Sequence, residues 1–249
     1  MNILQSAVNE PSISSPKAFD QWADSWWNPQ GSFRPLHELH PTRMKFIVGE
    51  VTRLLPSLLT PLPTPMKNLK ILDIGCGGGL TAESLCRLGG KVTAIDESEK
   101  TIAVARQHAA EQELSINYHV LDAEKLLEMG EKFDLVLALE VIEHVSDYKK
   151  FLDICAQLTK PNGFLIFSTL NRTAMSYIKS ILIAENILGW IPKGTHAWKK
   201  FLKPSELATP LQQRGFLAKN IQGLDYQIST KSWILSNCLD NNYIVSFAK

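Results

Sequence analysis

Apolar and polar residues change their rhythm twice along the chain. From Lys17 the apolar positions recur at helical spacing, with Phe19, Trp22, Ala23 and Trp26 on one face. A second helix is expected to start at about Pro41-Thr42 and to run through Phe46, Ile47, Val51 and Leu54-Leu55. Pro56, Pro61, Pro63 and Pro65 then interrupt any regular element, because proline fixes φ and removes a backbone donor. Beyond this connector, short apolar runs alternate with helical stretches. Strands are expected at 70–74, 91–96, 116–121, 133–139 and 163–169, and helices up to Leu88, over 98–113 and over 147–159. The last third reads as helices near 173–191 and 204–214 and strands near 216–222 and 243–247. Strands separated by helices of this length build βαβ units. The expected fold is α/β, a doubly wound, seven-stranded, mostly parallel sheet. One domain spans 17–249, with an N-terminal helical cap and Pro-rich connector over 17–66 and an amphipathic insertion over 171–203, after the fifth strand. The Ser-rich residues 1–16 are expected to be a disordered tail.

Composition narrows the function classes. Hydrophobic residues make up 45% and charged residues 20%, enough to bury a core. Lys and Arg number 26 against 25 Asp and Glu, a net charge of +1, so no global field is available to steer nucleic acid and none is expected as a partner. No apolar run approaches the length of a spanning helix, and the N-terminal residues lack the pattern of a signal or transit peptide. Cys76, Cys86, Cys155 and Cys238 are dispersed, with no CxxC pair, which points to a reducing compartment.

The densest signal is Ile71-Leu72-Asp73-Ile74-Gly75-Cys76-Gly77-Gly78-Gly79, a strand running into glycines and then a helix. Glycines there allow a tight turn and close approach of a ligand to the backbone. A phosphate loop would end in Gly-Lys-Ser/Thr, but Leu80-Thr81 follows Gly79. A dinucleotide fingerprint would place its third glycine at Leu80. Asp73, two residues before Gly75, suits a cationic ligand better than a pyrophosphate, and S-adenosylmethionine (SAM) is such a ligand. Gly75 and Gly77 line its approach, and Asp96, ending the next strand, can accept both ribose hydroxyls. Arg43 can pair with a carboxylate or be a solvated helix residue. Asp122, after the third strand, can accept from adenine or cap a helix.

Together with Leu139-Glu140-Val141-Ile142-Glu143-His144-Val145, this loop resembles the class I SAM-dependent methyltransferases, whose fold is Rossmann-like. Ser25-Trp26-Trp27, Phe33-Arg34-Pro35-Leu36-His37, His40-Pro41-Thr42-Arg43, Ser168-Thr169-Leu170-Asn171-Arg172 and Pro192-Lys193-Gly194-Thr195-His196 are similar, more selectively, to the ubiquinone biosynthesis O-methyltransferase family, over roughly 17–249. The resemblance implies methylation of ring hydroxyls on polyprenylated phenol and catechol intermediates, at two stages of the pathway. It implies SAM contacts at Arg43, Gly75, Asp96 and Leu139, the last standing where the family commonly has Met. It also implies a Mg²⁺ site at Glu140, Glu143 and His144, after its eukaryotic members.

Read from chemistry alone, Glu140, Glu143 and His144 offer either metal ligands or, at His144 and Glu143, catalytic acid–base groups. A free phenol has a pKa near ~10, so forming phenolate at neutral pH costs about 4 kcal/mol, which a base or a cation must offset. Trp22, Trp26 and Trp27 can close a water-excluding pocket or simply pack an N-terminal helix. Residues 174–203 mix Met175, Ile178, Ile181, Leu182, Leu188 and Ile191 with Trp190 and Trp198, and Lys193, Lys199, Lys200 and Lys203 meet no acidic residue between Glu185 and Glu206. That pattern favours peripheral membrane contact over a plain packed helix. With it, the resemblance implies a cytoplasmic protein peripheral to the inner membrane, with other ubiquinone-biosynthesis proteins as partners. The competing functions are methylation of another small phenol or acid, a nicotinamide oxidoreductase, and a non-catalytic SAM- or lipid-binding subunit.

Overall fold

The computed structural model describes residues 16–173, 176 and 200–249. Of the segments expected from sequence, the tail over 1–16 (all but its last residue), most of the insertion over 171–203 and the helix near 173–191 lie outside the described residues.

One eight-stranded sheet organises the chain, in the order β3-β2-β1-β4-β5-β8-β6-β7. Its parallel half comprises β1 (Lys70–Ile74), β2 (Lys91–Asp96), β3 (Asn117–Val120), β4 (Phe133–Leu139) and β5 (Thr159–Leu170). Its antiparallel half comprises β6 (Leu217–Gln227), β7 (Ser232–Ser236) and β8 (Asn242–Ala248). The count is eight rather than seven. The extra strand, β7, returns from β6 through a turn closed by Lys231, a non-glycine residue at φ 50°. Neither glycine nor proline marks that turn, so nothing in residues 228–231 announces it.

The period of two along each strand decides which layer each side chain joins. Ile71, Leu135, Leu137, Phe164, Ile166 and Ile244 face one core, with Phe46, Ile47 and Val51 of α1 (Arg34–Leu54), Leu85 of α2 (Leu80–Arg87) and Ile102 of α3 (Glu99–Glu111). Leu72, Val136, Ala138, Leu165, Phe167 and Val245 face the other, against Leu126 of α4 (Ala123–Glu128), Leu152 of α5 (Tyr148–Leu158) and Leu207 and Leu211 of α6 (Pro204–Gln213). Each such side chain, taken fully out of water, contributes about 1.5–3 kcal/mol, so the layers hold the sheet from both faces.

Three expectations change at the N-terminal side and around α4. Residues Pro16–Ser25 form a 3-10 helix rather than an α-helix. The next helix starts at Arg34, seven residues before the expected Pro41, and carries Pro41 inside it. Helix α4 was not expected as an element. It is capped by Asp122, whose side chain accepts from Lys125 N–H at 2.8 Å.

Candidate active site

The parallel strands all end at one edge, and the predicted site residues gather there. At the end of β1, Gly75, Gly77 and Gly79 take φ values of 67°, 53° and 93°, which L side chains rarely adopt. The loop is pinned to β2: Gly75 and Cys76 donate to Ile95 O, and Gly77 N–H donates to Asp96 Oδ2 at 3.0 Å. Asp96 also accepts from Ser98 N–H at 2.9 Å, so its carboxylate is oriented before any ligand reaches it. A Cβ on Gly75 would lie 2.4 Å from Val141, which ties the glycine to the turn after β4.

Asp73, beneath the loop, is fully buried, and its Oδ2 has no hydrogen-bond partner among the described residues. Burial, with Asp96 nearby, pushes its carboxyl up to about 7, while Arg43 pulls it the other way. Arg43 comes from α1 and is itself buried, 3.0 Å from Glu140 Oε1. That approach is an ion pair without the alignment of a hydrogen bond: among the described residues Arg43 Nε and Nη2 make no hydrogen bond. A buried guanidinium with hydrogen-bonding capacity left beside a glycine loop is suited to an incoming carboxylate, and the Asp73 oxygen is suited to an ammonium. These groups fit the amino-acid end of SAM. His40, one turn before Arg43, shares a hydrogen bond of 2.7 Å with Ser84 Oγ. Burial, with Arg43 and His37 close by, pushes its pKa down to about 4.

Leu139, half-buried, ends β4 opposite Ser168 of β5. Glu140 follows in a left-handed conformation, φ 56°, and its N–H donates to Ser168 O. Its carboxylate accepts from Ser168 Oγ at 2.9 Å. Glu143 is buried, accepts from Thr169 Oγ1 at 2.9 Å and is hydrogen-bonded to Glu140. Burial and the Glu140 charge hold its carboxyl well above the usual range. His144 closes the same turn, its N–H donating to Val141 O. Glu140 and Glu143 therefore meet, but no three His, Cys, Asp or Glu side chains among the described residues converge as a metal cluster. Asp122 stands at the same sheet edge, half-exposed and engaged as the cap of α4.

Two contributors belong to a segment that carries the family resemblance but have no role legible in the sequence. Ser168 and Thr169, at the end of β5, hold the two carboxyls. Their adjacency to β4 depends on register, which the local pattern does not encode. Among the described residues, no helix is long and apolar enough to cross a membrane.

Comparison with known proteins gives the family and the fold. Residues 72–167 match the model of the methyltransferase domain family. The chain is 40% identical over 243 residues to the ubiquinone biosynthesis O-methyltransferase of Pelagibacter ubique, covering 98% of this chain and 99% of that one. It is 45% identical over 228 residues to the protein of the same name from Bartonella tribocorum, covering 91% and 92%. In fold it is similar to the magnesium protoporphyrin IX methyltransferase of Synechocystis PCC 6803 with bound SAH (S-adenosylhomocysteine), at a TM-score of 0.64 and 21% identity, covering 93% of this chain and 94% of that one.

Proposed function

Belonging to the ubiquinone biosynthesis O-methyltransferase family, the chain is a SAM-dependent O-methyltransferase of ubiquinone biosynthesis, and we propose that it works through the edge formed by the glycine loop, Arg43, Asp96 and the turn 140–144. Its acceptor is a polyprenylated phenol. The observation that carries the assignment of residues is the buried Arg43 guanidinium, ion-paired with Glu140 yet with two nitrogens that make no hydrogen bond among the described residues. Arg43 takes the carboxylate of SAM, Asp73 faces its ammonium, Asp96 holds the ribose, and Gly75, Gly77, Leu139 and Asp122 border the adenosine. SAM supplies a methyl group on a sulfonium, which moves in line to the ring oxygen. His144 takes the phenol's proton. Glu143, whose carboxyl burial and the Glu140 charge hold well above the ordinary range, is hydrogen-bonded to Thr169 Oγ1 and to Glu140 and so fixes the turn. Removing water from a phenolate meeting a sulfonium favours the step, because charge is annihilated there.

For Mg²⁺, the fit is that of the carboxyl pair alone. Two carboxyls sharing a proton form a place where a divalent cation can replace that proton. Glu140 and Glu143 would hold it with His144 alongside, and the cation would stabilise the phenolate. Membrane contact through 174–203 is supported by the sequence pattern and by the point of attachment. Leu202 N–H donates to Leu170 O, so the segment leaves and returns at the end of β5, beside Ser168 and Thr169.

The test is turnover of SAM with a polyprenylated catechol by the purified protein, with and without EDTA, beside an Arg43→Ala variant. Methyl ether is expected from the parent. The variant should show a KM for SAM raised about 10- to 100-fold, the loss of a charge-assisted hydrogen bond of roughly 1.5–3 kcal/mol. Loss of turnover in EDTA that Mg²⁺ restores would support the metal site, whereas indifference to EDTA would retire it. Tight SAM binding without methylation of any phenol would refute the assignment of the acceptor.

A further inference from the structure

The segment preceding α1 lies across the glycine loop. Trp26 is only 8% exposed. A Cβ built on Gly77 would fall 2.2 Å from its Cη2, and one on Gly78 would fall 2.3 Å from its Cδ1. The six-membered ring thus sits over Gly77 and the five-membered ring over Gly78. Nε1 is bonded to Cδ1 and to Cε2, and Cε2 is itself 3.3 Å from the Gly77 position. The N–H edge of the indole is therefore laid against the loop. That N–H is buried and has no acceptor among the described residues, a situation costing about 1–3 kcal/mol if nothing ever satisfies it.

Trp27, the next residue, is tied down on the same loop. Its Nε1–H donates to Gly78 O at 3.0 Å. Its ring stacks on His108 of α3 with centroids 3.6 Å apart and planes 7° from parallel. His108 is held in turn by the buried Glu83, Nδ1 to Oε1 2.6 Å. Further ties join the segment to its neighbours. His37 Nε2 meets Trp26 O at 2.8 Å, Trp26 leans on Phe33 with centroids 3.9 Å apart, and Asp20 bonds to Ser98 Oγ. Ser98 also donates its N–H to Asp96, so this last tie ends on the ribose-binding carboxylate's neighbour. The segment is 3-10 helix and turn rather than α-helix, held internally by short-range bonds such as Trp26 N–H to Ala23 O and Asn28 N–H to Ser25 O, both 3.0 Å, and joined to the loop by the ties above.

We propose that residues 20–33 are a strap over the cofactor site, in which Trp26 is a cofactor-contacting residue whose Nε1–H donates to an oxygen of the bound adenosyl ligand, and Trp27 stacked on His108 is the latch. The proposal rests on reading the glycine loop as the SAM site. A group approaching Gly77 and Gly78 on this face must displace or slide the indole, so ligand entry and exit require the strap to shift. The latch sets how quickly it does so.

The test uses the full chain and SAH as probe, with affinity from calorimetry and release measured by chasing labelled SAH with excess unlabelled SAH. Trp26→Phe keeps one ring over the loop and removes the donor together with part of the indole's volume. It is expected to weaken SAH about tenfold, and the ligand-free melting temperature, in which lost packing opposes the relief of a buried unpaired N–H, shows that the variant is folded. Trp27→Ala and His108→Ala are expected to speed release at least fivefold, and His108→Phe, which restores a stacking face, to slow it again. Unchanged SAH affinity in Trp26→Phe, or release within twofold of the parent in both latch variants, overturns the proposal. Asp96→Asn separates the two levels of inference. If it binds SAH as the parent does, the cofactor-site reading itself has failed; if it loses SAH while the strap variants behave as the parent, only the strap has failed.

Discussion

Asp73 shows how a single buried carboxyl couples this site to pH. Its folded pKa of about 7 lies above the ordinary value of 3.8, because burial removes the carboxylate from water beside Asp96. Between those limits the folded protein holds a proton that the unfolded chain has lost. Stability from this group therefore falls as pH rises from about 4 to about 7, and is flat above that. Asp73→Asn should remove a tilt of about 4 kcal/mol across the window, visible as urea midpoints that gain on the parent at pH 8 and not at pH 4. A cation settling beside Asp73 favours its ionised form, so SAM binding below pH 7 should release a proton that the Asn variant does not release. Calorimetry in buffers of different ionisation enthalpy measures that directly. His40 tilts the other way: held neutral down to about 4, it withdraws stability as pH falls below about 6.5. The parent's own profile is the sum of these opposed slopes, which is why the single variants are the informative measurement.

At the scale of elements, α1 carries the most. It delivers Arg43 to the site, and about two turns further on it drives Glu50 into the far half of the sheet. Glu50 accepts from Ser246 Oγ of β8, from Asn220 Nδ2 of β6 at 2.9 Å, and from Arg53. Burial alone would raise its pKa, but these bonds outweigh burial and hold it below the ordinary value. Glu50→Ala leaves three donors without their acceptor and should destabilise the protein by roughly 3 kcal/mol in urea unfolding. Because Arg43 rides on the same helix, SAH affinity should fall with it, while a surface change such as Thr52→Ala should move neither. The start of this helix was misplaced in the sequence reading for a physical reason. Pro41 looks like a first-turn residue, since inside a helix it costs about 3 kcal/mol. Here Leu39 and Phe46, buried on either side of it, offset that cost through the core. Likewise the amphipathic face of residues 19–26 was legible, but not that it would wind as 3-10.

At the scale of the molecule, the sheet joins two halves with different work. The parallel half ends every strand at the ligand edge. The antiparallel half packs β8 between β5 and β6 and brings Leu202 and Leu170 together at the root of the Lys-rich segment. Lys193, Lys199, Lys200 and Lys203 should bind anionic vesicles, with about 1 kcal/mol from each at low salt. Changing all four to Gln should reduce vesicle cosedimentation by two to three orders of magnitude without altering SAH affinity. Equal cosedimentation of parent and variant would remove the membrane contact from the account.

Strand–helix alternation, the glycine spacing, Asp96 at a strand end and the Glu-x-x-Glu-His run were all legible in the chain, because each is a local regularity of period, turn geometry or sheet edge. Asp122 was legible only as a choice, and the fold shows it engaged as a helix cap. What the chain could not show by itself depends on long-range register. Ser168 and Thr169 reach the two carboxyls only because β5 lies beside β4. Arg43 is left buried with hydrogen-bonding capacity to spare only because α1 closes over the loop. Trp26 covers Gly77 and Gly78 across some fifty intervening positions. Local pattern sets which residues form an element; burial and strand order, which need the whole chain folded, decide which of them meet and what charge they carry when they do.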